Sequence, residues 1–298
     1  MAKNAQLIFG GGGDVTLHDA TNGWFNLGYL VDIEFTRTPN KITTNRSMVV
    51  DLHGTYTFKA TALQSNDDVM NTLDARRNTL QTVYIVGAGR LFTLPAQFIT
   101  YEVSAPFKEG EAQTVIVDGK SAADFTQDIN LLGTYGNFDV DTNSDGVTDG
   151  WTNDSLAAAT RESNANFSAG NRSGDYCQQI EFPDGADGRL LSTAKICPFE
   201  GPVRLTFSAY IYALEDVTFY MRIQTVNTSD AVITTNTSSA ITMSATDEAR
   251  QSFSVWVNES VTVKSLIVDF YRNAAGTPAI QIENAVLSID NLRDYTED

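Results

Sequence analysis

The sequence predicts a mainly β protein made of two β-sandwiches, the first with one flanking α-helix and the second an antiparallel jelly roll. Three observations support this fold class. Apolar and polar residues alternate with a period of two in many short segments, which is typical of half-buried strands. Only one segment has clear helical spacing. The chain of 298 residues is also longer than one hydrophobic core usually serves, so two domains are expected, residues 1–128 and 129–298.

The first part alternates strands with a single helix. Residues 29–36 and 56–62 place apolar side chains at every second position, as one face of a sheet requires. A helix is expected over residues 65–79, because a Ser and an Asp three positions apart form a capping box at its start. Residues 82–87 and 97–103 return to the strand pattern. This order of elements predicts a small β-sandwich with a helix at its side.

The second part is almost wholly β. Short alternating segments recur at regular spacing, with polar turns between them and no convincing helical pattern. That spacing is typical of an antiparallel sandwich or jelly roll. The segments are FSAYIYA, VTFYMRIQTV, AVITTN, QSFSVWV, SLIVDFY and IQIENAVLSIDNL.

The composition argues against several classes of function. The net charge is −17, and residues 129–298 alone hold 10 Lys or Arg against 23 Asp or Glu, a net of −13. Nucleic-acid binding needs clustered basic residues and is therefore disfavoured. No run of about 18 apolar residues is present, so no membrane insertion is expected. The N-terminus lacks the apolar core of a signal peptide, so synthesis in the cytoplasm is expected.

The two cysteines and the two histidines offer little chemistry. Cys177 and Cys197 are too few for a disulfide framework or a zinc site. Their segments both resemble strands that could lie side by side, either as two buried thiols or as a single bridge formed in an oxidising medium. His18 and His53 have no surrounding motif that would support general acid–base catalysis.

The strongest local pattern is an Asp-rich loop that runs up to Thr152. Alternate positions carry carboxylate or amide oxygens, and the calcium-loop pattern D-x-[DN]-x-[DN]-G is matched in full. Thr152 stands where an EF-hand has a bidentate Glu, and no helices flank the loop, so a calcium loop outside an EF-hand is predicted. The alternative is a solvated turn, since Asp, Asn and Gly favour turns in any case. The candidate Ca²⁺ ligands are Asp139, Asp141, Asn143, Asp145, the Val147 carbonyl and Asp149.

A ligand-binding face is predicted on the strands of the second part. In each strand the alternation directs apolar residues to the core and leaves aromatic and polar residues opposite. Flat rings stack on the CH faces of sugars, and Arg, Gln and Asp hydrogen-bond sugar hydroxyls. The alternatives are a second packed face or a contact between subunits. The predicted glycan-binding residues are Tyr210, Tyr212, Tyr220, Arg222, Gln224, Trp256, Asp269 and Tyr271.

Residues 130–298 resemble the non-catalytic carbohydrate-binding jelly rolls attached to secreted glycosidases and phage virion proteins. The resemblance rests on NFDVDTNSDGVTDGWT, the strand that carries Trp256, and the closing LSIDNL. In such modules the opening strand carries N-F-[DE], as residues 137–139 do, and the last strand carries an Asp before a short apolar tail, as Asp290 does. The resemblance implies that Asp290 joins the opening segment in a structural calcium site and that cell-surface glycans are candidate ligands.

Residues 7–125 resemble the tail tube proteins of long-tailed bacteriophages in the order of their elements. The resemblance is carried by GWFNLGYLVDIEFTRTPNKITT, by LHGTYTFKATALQSNDDVMNTLDARRN and by the TVYIVG strand that follows. Tail tube proteins form a small β-sandwich with a flanking helix, assemble as hexameric rings and stack into a tube through which DNA passes. The resemblance implies a homo-oligomer of stacked hexameric rings, contacts with other tail proteins, a place in the virion tail and no specific DNA binding.

Three functions compete for this sequence. The first is a structural virion protein, a major tail tube subunit whose second domain faces outward as a decoration. The alternative is a glycan-binding or host-surface-binding virion component of a baseplate or fibre. An enzyme is the least supported, because glycoside hydrolysis needs two positioned carboxylates and none of the acidic residues lies in a recognisable catalytic context.

Overall fold

The computed structural model of the chain is mainly β, with three antiparallel sheets and one α-helix among the residues it describes. This confirms the predicted fold class. No helix in the described part of the chain is long and apolar enough to cross a membrane. The described residues are 5–10, 14–27, 30–43, 49–63, 68–77, 79–87, 89–104, 114–121, 126–199, 203–227, 231–257 and 265–290.

The first sheet has nine strands and is formed by the first part of the chain. Its strands follow the order β1-β4-β5-β8-β7-β6-β2-β3, and β9 pairs with β7. Helix α1 (Asp68–Arg76) lies between β5 and β6 in the chain. The expected capping residue at position 65 falls outside the described residues. The strands are β1 (Ala5–Gly10), β2 (Asp14–Asp19), β3 (Gly23–Asn26), β4 (Leu30–Thr43), β5 (Val49–Leu63), β6 (Leu80–Gly87), β7 (Arg90–Ser104), β8 (Thr114–Ser121) and β9 (Thr126–Asp128).

One face of the nine-stranded sheet buries an apolar cluster that includes the helix. Phe58 and Val117 from neighbouring strands pack with Leu73 of α1, and all three are almost fully buried. Gly119 lies beside Phe58, where an added Cβ atom would come within 1.9 Å of the aromatic ring. A larger residue at this position would therefore displace the ring from the core.

A buried ion pair joins the helix to the sheet. The Arg76 Nη1 atom at the end of α1 lies 2.9 Å from the Asp19 Oδ2 atom at the end of β2, and both side chains are almost fully buried. The Gln81 side chain also donates to Asp19, at 2.6 Å. Burial by itself would raise the pKa of Asp19, but hydrogen bonds from Gln81 and Asn22 outweigh burial and hold that pKa well below its usual range.

The second part forms two further sheets, one of seven strands and one of five. Three 3-10 turns, Gly133–Asn137, Asn164–Asn166 and Ala169–Asn171, lie between strands. The seven-stranded sheet contains β10 (Trp151–Asp154), β13 (Gly188–Ser192), β14 (Lys195–Ile196), β16 (Val217–Val226), β17 (Val232–Thr237), β18 (Ile241–Met243) and β20 (Ser265–Arg272). The five-stranded sheet contains β11 (Ala158–Ser163), β12 (Tyr176–Glu181), β15 (Val203–Ala213), β19 (Glu248–Val257) and β21 (Ala279–Ile289).

These two sheets pack face to face around one apolar core. Phe207 of the five-stranded sheet contacts Phe270 of the seven-stranded sheet, with ring centroids 5.1 Å apart. Met221 and Ile211 lie in the same cluster and are fully buried. The two outer faces of the sandwich therefore point in opposite directions, because each sheet directs alternate side chains inward and outward.

The first and second parts meet where β9 ends. Asp128 of β9 pairs with Leu91 of β7, and the backbone N–H of Leu131 donates to Leu287 in β21 at 2.8 Å. Val86 and Leu91 of the first sheet belong to the same apolar cluster as Leu131. The division into two domains at residues 128 and 129 stays a prediction.

Neither cysteine forms a disulfide, and both are buried. Cys177 lies in β12 of the five-stranded sheet, whereas Cys197 directly follows β14 of the seven-stranded sheet. The expected side-by-side strands are therefore in different sheets. Burial is the main reason that the pKa of Cys177 rises to about 12, which keeps the thiol protonated and unreactive.

Candidate functional site

The candidate site lies on the outer face of the seven-stranded sheet, on its two adjacent strands β16 and β20. In β16 Phe219 and Met221 point into the core, so Tyr220 and Arg222 point outward. In the register of these strands Tyr220 lies opposite Tyr271, Arg222 opposite Asp269, and Gln224 opposite Ile267. We call this surface the Arg222 face; it consists of Tyr220, Arg222, Gln224, Asp269 and Tyr271.

A buried ion pair occupies the centre of the Arg222 face. The Arg222 Nε atom donates to the Asp269 Oδ1 atom at 2.7 Å, and the two side chains are 11% and 0% exposed. Two further atoms of the pair, Arg222 Nη2 and Asp269 Oδ2, are buried without a hydrogen-bond partner. One donor atom and one acceptor atom of this buried pair therefore have no hydrogen-bond partner within the protein.

Aromatic rings flank this pair. The Arg222 guanidinium carbon lies 3.8 Å from the centroid of the Tyr271 ring, and the Tyr220 and Tyr271 centroids are 6.2 Å apart. The Tyr271 hydroxyl donates to Asp187 at 2.9 Å. Stacking on Tyr271 and bonding to Asp269 fix the guanidinium in one orientation.

A second ion pair extends the face toward the sheet edge. Arg189 of β13 lies opposite Tyr271 in register and pairs with Asp154 of β10. Burial raises the pKa of Asp269, while Arg222 and Arg189 oppose that rise. Arg222 and Arg189 are therefore each paired with a carboxylate.

The structure does not bring all eight predicted glycan-binding residues together. Tyr220, Arg222, Gln224, Asp269 and Tyr271 form the Arg222 face, and Gln224 is almost fully buried there. The other three lie on the opposite side of the sandwich, on the outer face of the five-stranded sheet. These three are Tyr210, Tyr212 and Trp256.

The three remaining residues have separate surroundings on that opposite face. Tyr210 lies under the Arg250 guanidinium at 4.9 Å, and Tyr212 contacts the buried Phe167 ring edge-on at 6.1 Å. Trp256 is 43% exposed. The sequence pattern identified outward-facing residues in each strand but could not show that β15 and β19 share a different sheet from β16 and β20.

The Asp-rich loop has the hydrogen bonding of a tight turn. The Asp141 Oδ2 atom accepts from the backbone N–H of Gly146 at 3.1 Å, and the Asp145 Oδ1 atom accepts from Val147 at 2.8 Å. The Asp149 Oδ1 atom accepts from the backbone N–H of Thr142 at 3.1 Å. The Asp141 Oδ1 atom is buried without a hydrogen-bond partner.

The loop does not gather a ready-made cage of carboxylates. In the described part of the chain, no group of three or more His, Cys, Asp or Glu side chains is arranged to hold a metal ion. Within the loop, the Asn143 Oδ1 atom accepts from the backbone N–H of Asp145 at 3.2 Å.

Asp139 accepts a hydrogen bond from outside the loop and lies near the buried carboxylate of Glu283. Its Oδ1 atom accepts from the backbone N–H of Asp175 at 3.0 Å. Glu283 of β21 is fully buried, and its Oε1 atom accepts from the backbone N–H of Ser173 at 2.6 Å, while its Oε2 atom has no partner. Burial raises the pKa of Glu283, and the nearby negative charge of Asp139 raises it further.

Asp290 lies elsewhere. Its Oδ2 atom accepts from the Thr206 hydroxyl at 2.6 Å and lies 3.3 Å from Arg204 Nε. At about 3.3 Å per residue, Asp290 is roughly 23 Å along the strand direction from Glu283. Glu283 of β21 therefore lies near Asp139, whereas Asp290, which directly follows β21, does not.

Sequence reasoning missed Glu283, although a signal for it was present. Glu283 and Asn284 interrupt the apolar alternation of IQIENAVLSI, and Asn284 has a positive φ of 48° at an irregularity in the pairing with β15. A charged residue in an otherwise apolar central strand indicates a buried partner or ligand.

No family model matches this sequence, and no curated protein matches it. Several solved structures are similar to about half of the chain. One is bacteriophage CBA120 tailspike protein 4, at 10% identity and a TM-score of 0.36, with 48% of this chain and only 20% of the tailspike chain covered.

Two others are carbohydrate-binding domains. The CBM22-1 xylan-binding domain of Paenibacillus barcinonensis Xyn10C is 11% identical, with 50% of this chain and 90% of that domain covered and a TM-score of 0.36. TmCBM61, solved in complex with β-1,4-galactotriose, is 10% identical, with 54% and 99% covered and a TM-score of 0.34. At such identities and scores, function has to be argued from the geometry of the chain itself.

Proposed function

We propose that the chain binds a carbohydrate through the Arg222 face, as a surface component of a virion that contacts host glycans. One observation carries the proposal. A buried donor, Arg222 Nη2, and a buried acceptor, Asp269 Oδ2, lie unpartnered in one ion pair, next to the cross-strand pair of Tyr220 and Tyr271.

The unpartnered atoms favour a hydroxyl-rich ligand. A buried polar atom without a partner costs about 1–3 kcal/mol, and such atoms in native proteins usually bond to water or ligand. A sugar hydroxyl both donates and accepts, so neighbouring hydroxyls on one ring satisfy both Arg222 and Asp269. Tyr220 supplies an aromatic surface beside them for the CH face of the ring.

Charge on the face favours an uncharged ligand. Arg222 is paired with Asp269 and Arg189 with Asp154, so neither arginine is available to pair with a uronate or a sulfate. Residues 129–298 also carry a large negative excess, 23 acidic against 10 basic residues, which repels polyanions at long range. The proposed ligand is therefore a neutral polysaccharide.

The test is a titration of the full chain with neutral oligosaccharides, after a glycan array has selected them. Arg222→Lys keeps the charge but removes the planar fork, so binding should weaken by about 10- to 100-fold, the value of one or two hydrogen bonds to a charged group. Arg250→Lys is the matched control, because Arg250 also lies over a tyrosine but on the opposite face. Equal effects of the two substitutions would contradict the proposal.

We propose that binding is not followed by hydrolysis. Each carboxylate near the face has a structural partner, since Asp269 binds Arg222, Asp154 binds Arg189, and Asp187 accepts from Tyr271. Glycoside hydrolysis needs an acid and a nucleophile or base that are free to act. The expected result is binding without release of reducing sugar from the bound polysaccharide.

We also propose that the second part holds structural Ca²⁺. The residues that fit best are those of the Asp-rich loop, where the buried Asp141 Oδ1 atom lacks a partner. Asp145, Asn143, Asp149 and the Val147 carbonyl supply the further hard oxygens that Ca²⁺ prefers. The ion would neutralise the crowded carboxylates and hold the entry to the sandwich in place.

A tail tube subunit is the second candidate for the role of the first part. The observation that favours it is an exposed apolar pair, Leu80 of β6 and Phe98 of β7, which lie opposite each other and are 50% and 61% exposed. Such a pair on a sheet surface suits a contact between subunits. Hexameric rings or tubes in negative-stain images, lost on Phe98→Lys, would support this role, and a monomer under all conditions would contradict it.

A further inference from the structure

One edge of the five-stranded sheet lacks the usual protection against pairing with another chain. Strand β19 is the end strand of that sheet, and it pairs with β15 over ten residues, from Val203 opposite Val257 to Tyr212 opposite Glu248. Within the described ranges, no strand pairs with its other side. Its outer row of backbone N–H and C=O groups is therefore a template for one more strand.

The sequence of β19 contains few of the devices that block such pairing. Residues 251–257, QSFSVWV, contain no charge and no proline over seven positions. Phe253 and Val255 point toward the core but are only half-buried, and Trp256 on the outer side is 43% exposed. Three apolar side chains of β19 are therefore partly exposed at this edge.

The opposite edge of the same sheet is different. Its end strand β11 has only six residues and carries Arg161 and Glu162, which are charges that discourage edge pairing. Within the five-stranded sheet, the lack of protection is therefore specific to the edge formed by β19.

We infer that β19 pairs antiparallel with β19 of a second copy of this chain, across a two-fold axis, to give one continuous ten-stranded sheet. A second copy fits because a two-fold axis brings a strand of the same length and the same inward and outward alternation to the edge. Phe253 and Val255 of the two copies then meet on the core side and complete each other's burial. The uncharged segment lies at the centre of this contact.

The acidic surface sets the conditions for pairing. Two copies of residues 129–298 repel each other, since each holds 23 acidic and 10 basic residues. Pairing through the uncharged strand should therefore strengthen as salt screens the remaining charges. This dependence on salt is opposite to that of an interface held by ion pairs.

Cysteine scanning of the exposed row of β19 tests the contact directly. Arg250, Ser252, Ser254 and Trp256 are changed to Cys one at a time in the full chain, and a mild oxidant is added. Cβ atoms of directly opposed residues lie about 4.5–5.5 Å apart, close enough for a disulfide near the two-fold axis. The native Cys177 and Cys197 are buried, so they should not react.

The expected result is a covalent dimer from one or two neighbouring positions of β19 and none from Thr160→Cys on β11. No dimer from any β19 position, or equal dimer from Thr160→Cys, would overturn the inference. A second measurement compares the molar masses of two double variants by light scattering. One variant carries Ser252→Lys and Ser254→Lys on β19, and the other carries Ala158→Lys and Thr160→Lys on β11. Only the β19 variant should lose the dimer; a dimer that persists in both variants, or is lost in both, would also overturn the inference.

Discussion

Arg222 and Asp269 show how single atoms indicate function on this surface. Each uses part of its hydrogen-bonding capacity on the other and leaves one atom buried without a partner. The sequence predicted that Arg222 and Asp269 face outward, because strand alternation fixes the side of the sheet. It could not predict that they lie directly opposite each other, since that depends on the register between β16 and β20.

Carbohydrate binding should weaken as the pH falls through the pKa of Asp269. Burial raises that pKa above 3.8, so the carboxylate takes up a proton at a higher pH than an exposed Asp. The protonated group no longer pairs with Arg222, while Arg189 and Asp154 remain the other charges nearby. Titrations at several pH values measure the effect, and Asp269→Asn should bind weakly and show no such step.

The contribution of Asp269 to the free energy of unfolding should increase at acidic pH, whereas carbohydrate binding should weaken there. Because the folded state holds the Asp269 proton more tightly than the unfolded chain, its contribution to the free energy of unfolding rises as the pH falls through the folded pKa. Loss of binding without a drop in melting temperature would therefore locate the effect at the site. Parallel loss of both would show that acid simply unfolds the sandwich.

The calcium proposal predicts a chelator effect that one residue controls. Binding only to the folded state stabilises it by about 2.7 kcal/mol when free Ca²⁺ is a hundredfold above Kd. A chelator should therefore lower the melting temperature of the full chain, and Asp145→Ala should remove that sensitivity. Glu283→Gln, outside the loop, serves as a comparison and should leave the sensitivity in place. Identical melting curves with and without chelator, and no metal by elemental analysis, would reduce the loop to an ordinary turn.

At the scale of elements, the Asp19–Arg76 pair connects α1 to the edge of the nine-stranded sheet. Removing one partner of a buried ion pair costs about 3–5 kcal/mol, because the other charge stays buried and unpaired. Asp19→Asn should therefore lower the free energy of unfolding by that amount. The matched control is Asp74→Asn, whose partner Arg77 is exposed and contributes at most about 1 kcal/mol.

The same pair should give the stability of the first part a dependence on pH. The pKa of Asp19 is lowered in the folded state, so its contribution is fully present above 3.8 and is lost as the pH falls through the folded pKa. Denaturant unfolding at several acidic pH values measures this slope. Asp19→Asn should flatten it, and an unchanged slope would mean that other carboxylates cause it.

The positions of individual strands and turns could be predicted from the sequence, whereas the pairing between strands could not. The alternation in residues 217–226 and 265–272 matches β16 and β20, and the Asp-rich loop forms the turn that Gly146 permits. The position of Asp290 relative to the opening segment could not be predicted for a different reason. Which residue of a long strand reaches Asp139 depends on register, and a shift of seven residues along β21 separates Asp290 from Glu283.

At the scale of the whole molecule, the two outer faces of the sandwich divide the proposed roles. The Arg222 face belongs to the seven-stranded sheet and carries the proposed carbohydrate site. The five-stranded sheet carries the open edge of β19 and the exposed Trp256. A two-fold dimer through β19 would leave both Arg222 faces free, and two linked sites raise the apparent affinity for a polymer without any new contact.

Oxidative footprinting of the aromatic side chains tests whether carbohydrate binds at the Arg222 face. The full chain is exposed to hydroxyl radicals with and without a saturating neutral oligosaccharide, and the oxidation of each Tyr and Trp is measured by mass spectrometry. Ligand binding at the Arg222 face should protect Tyr220 and Tyr271 and leave Tyr210 and Trp256 unchanged, because only the first two lie on that face. Protection of Tyr210 and Trp256 instead, or of none of the four at saturation, would contradict it.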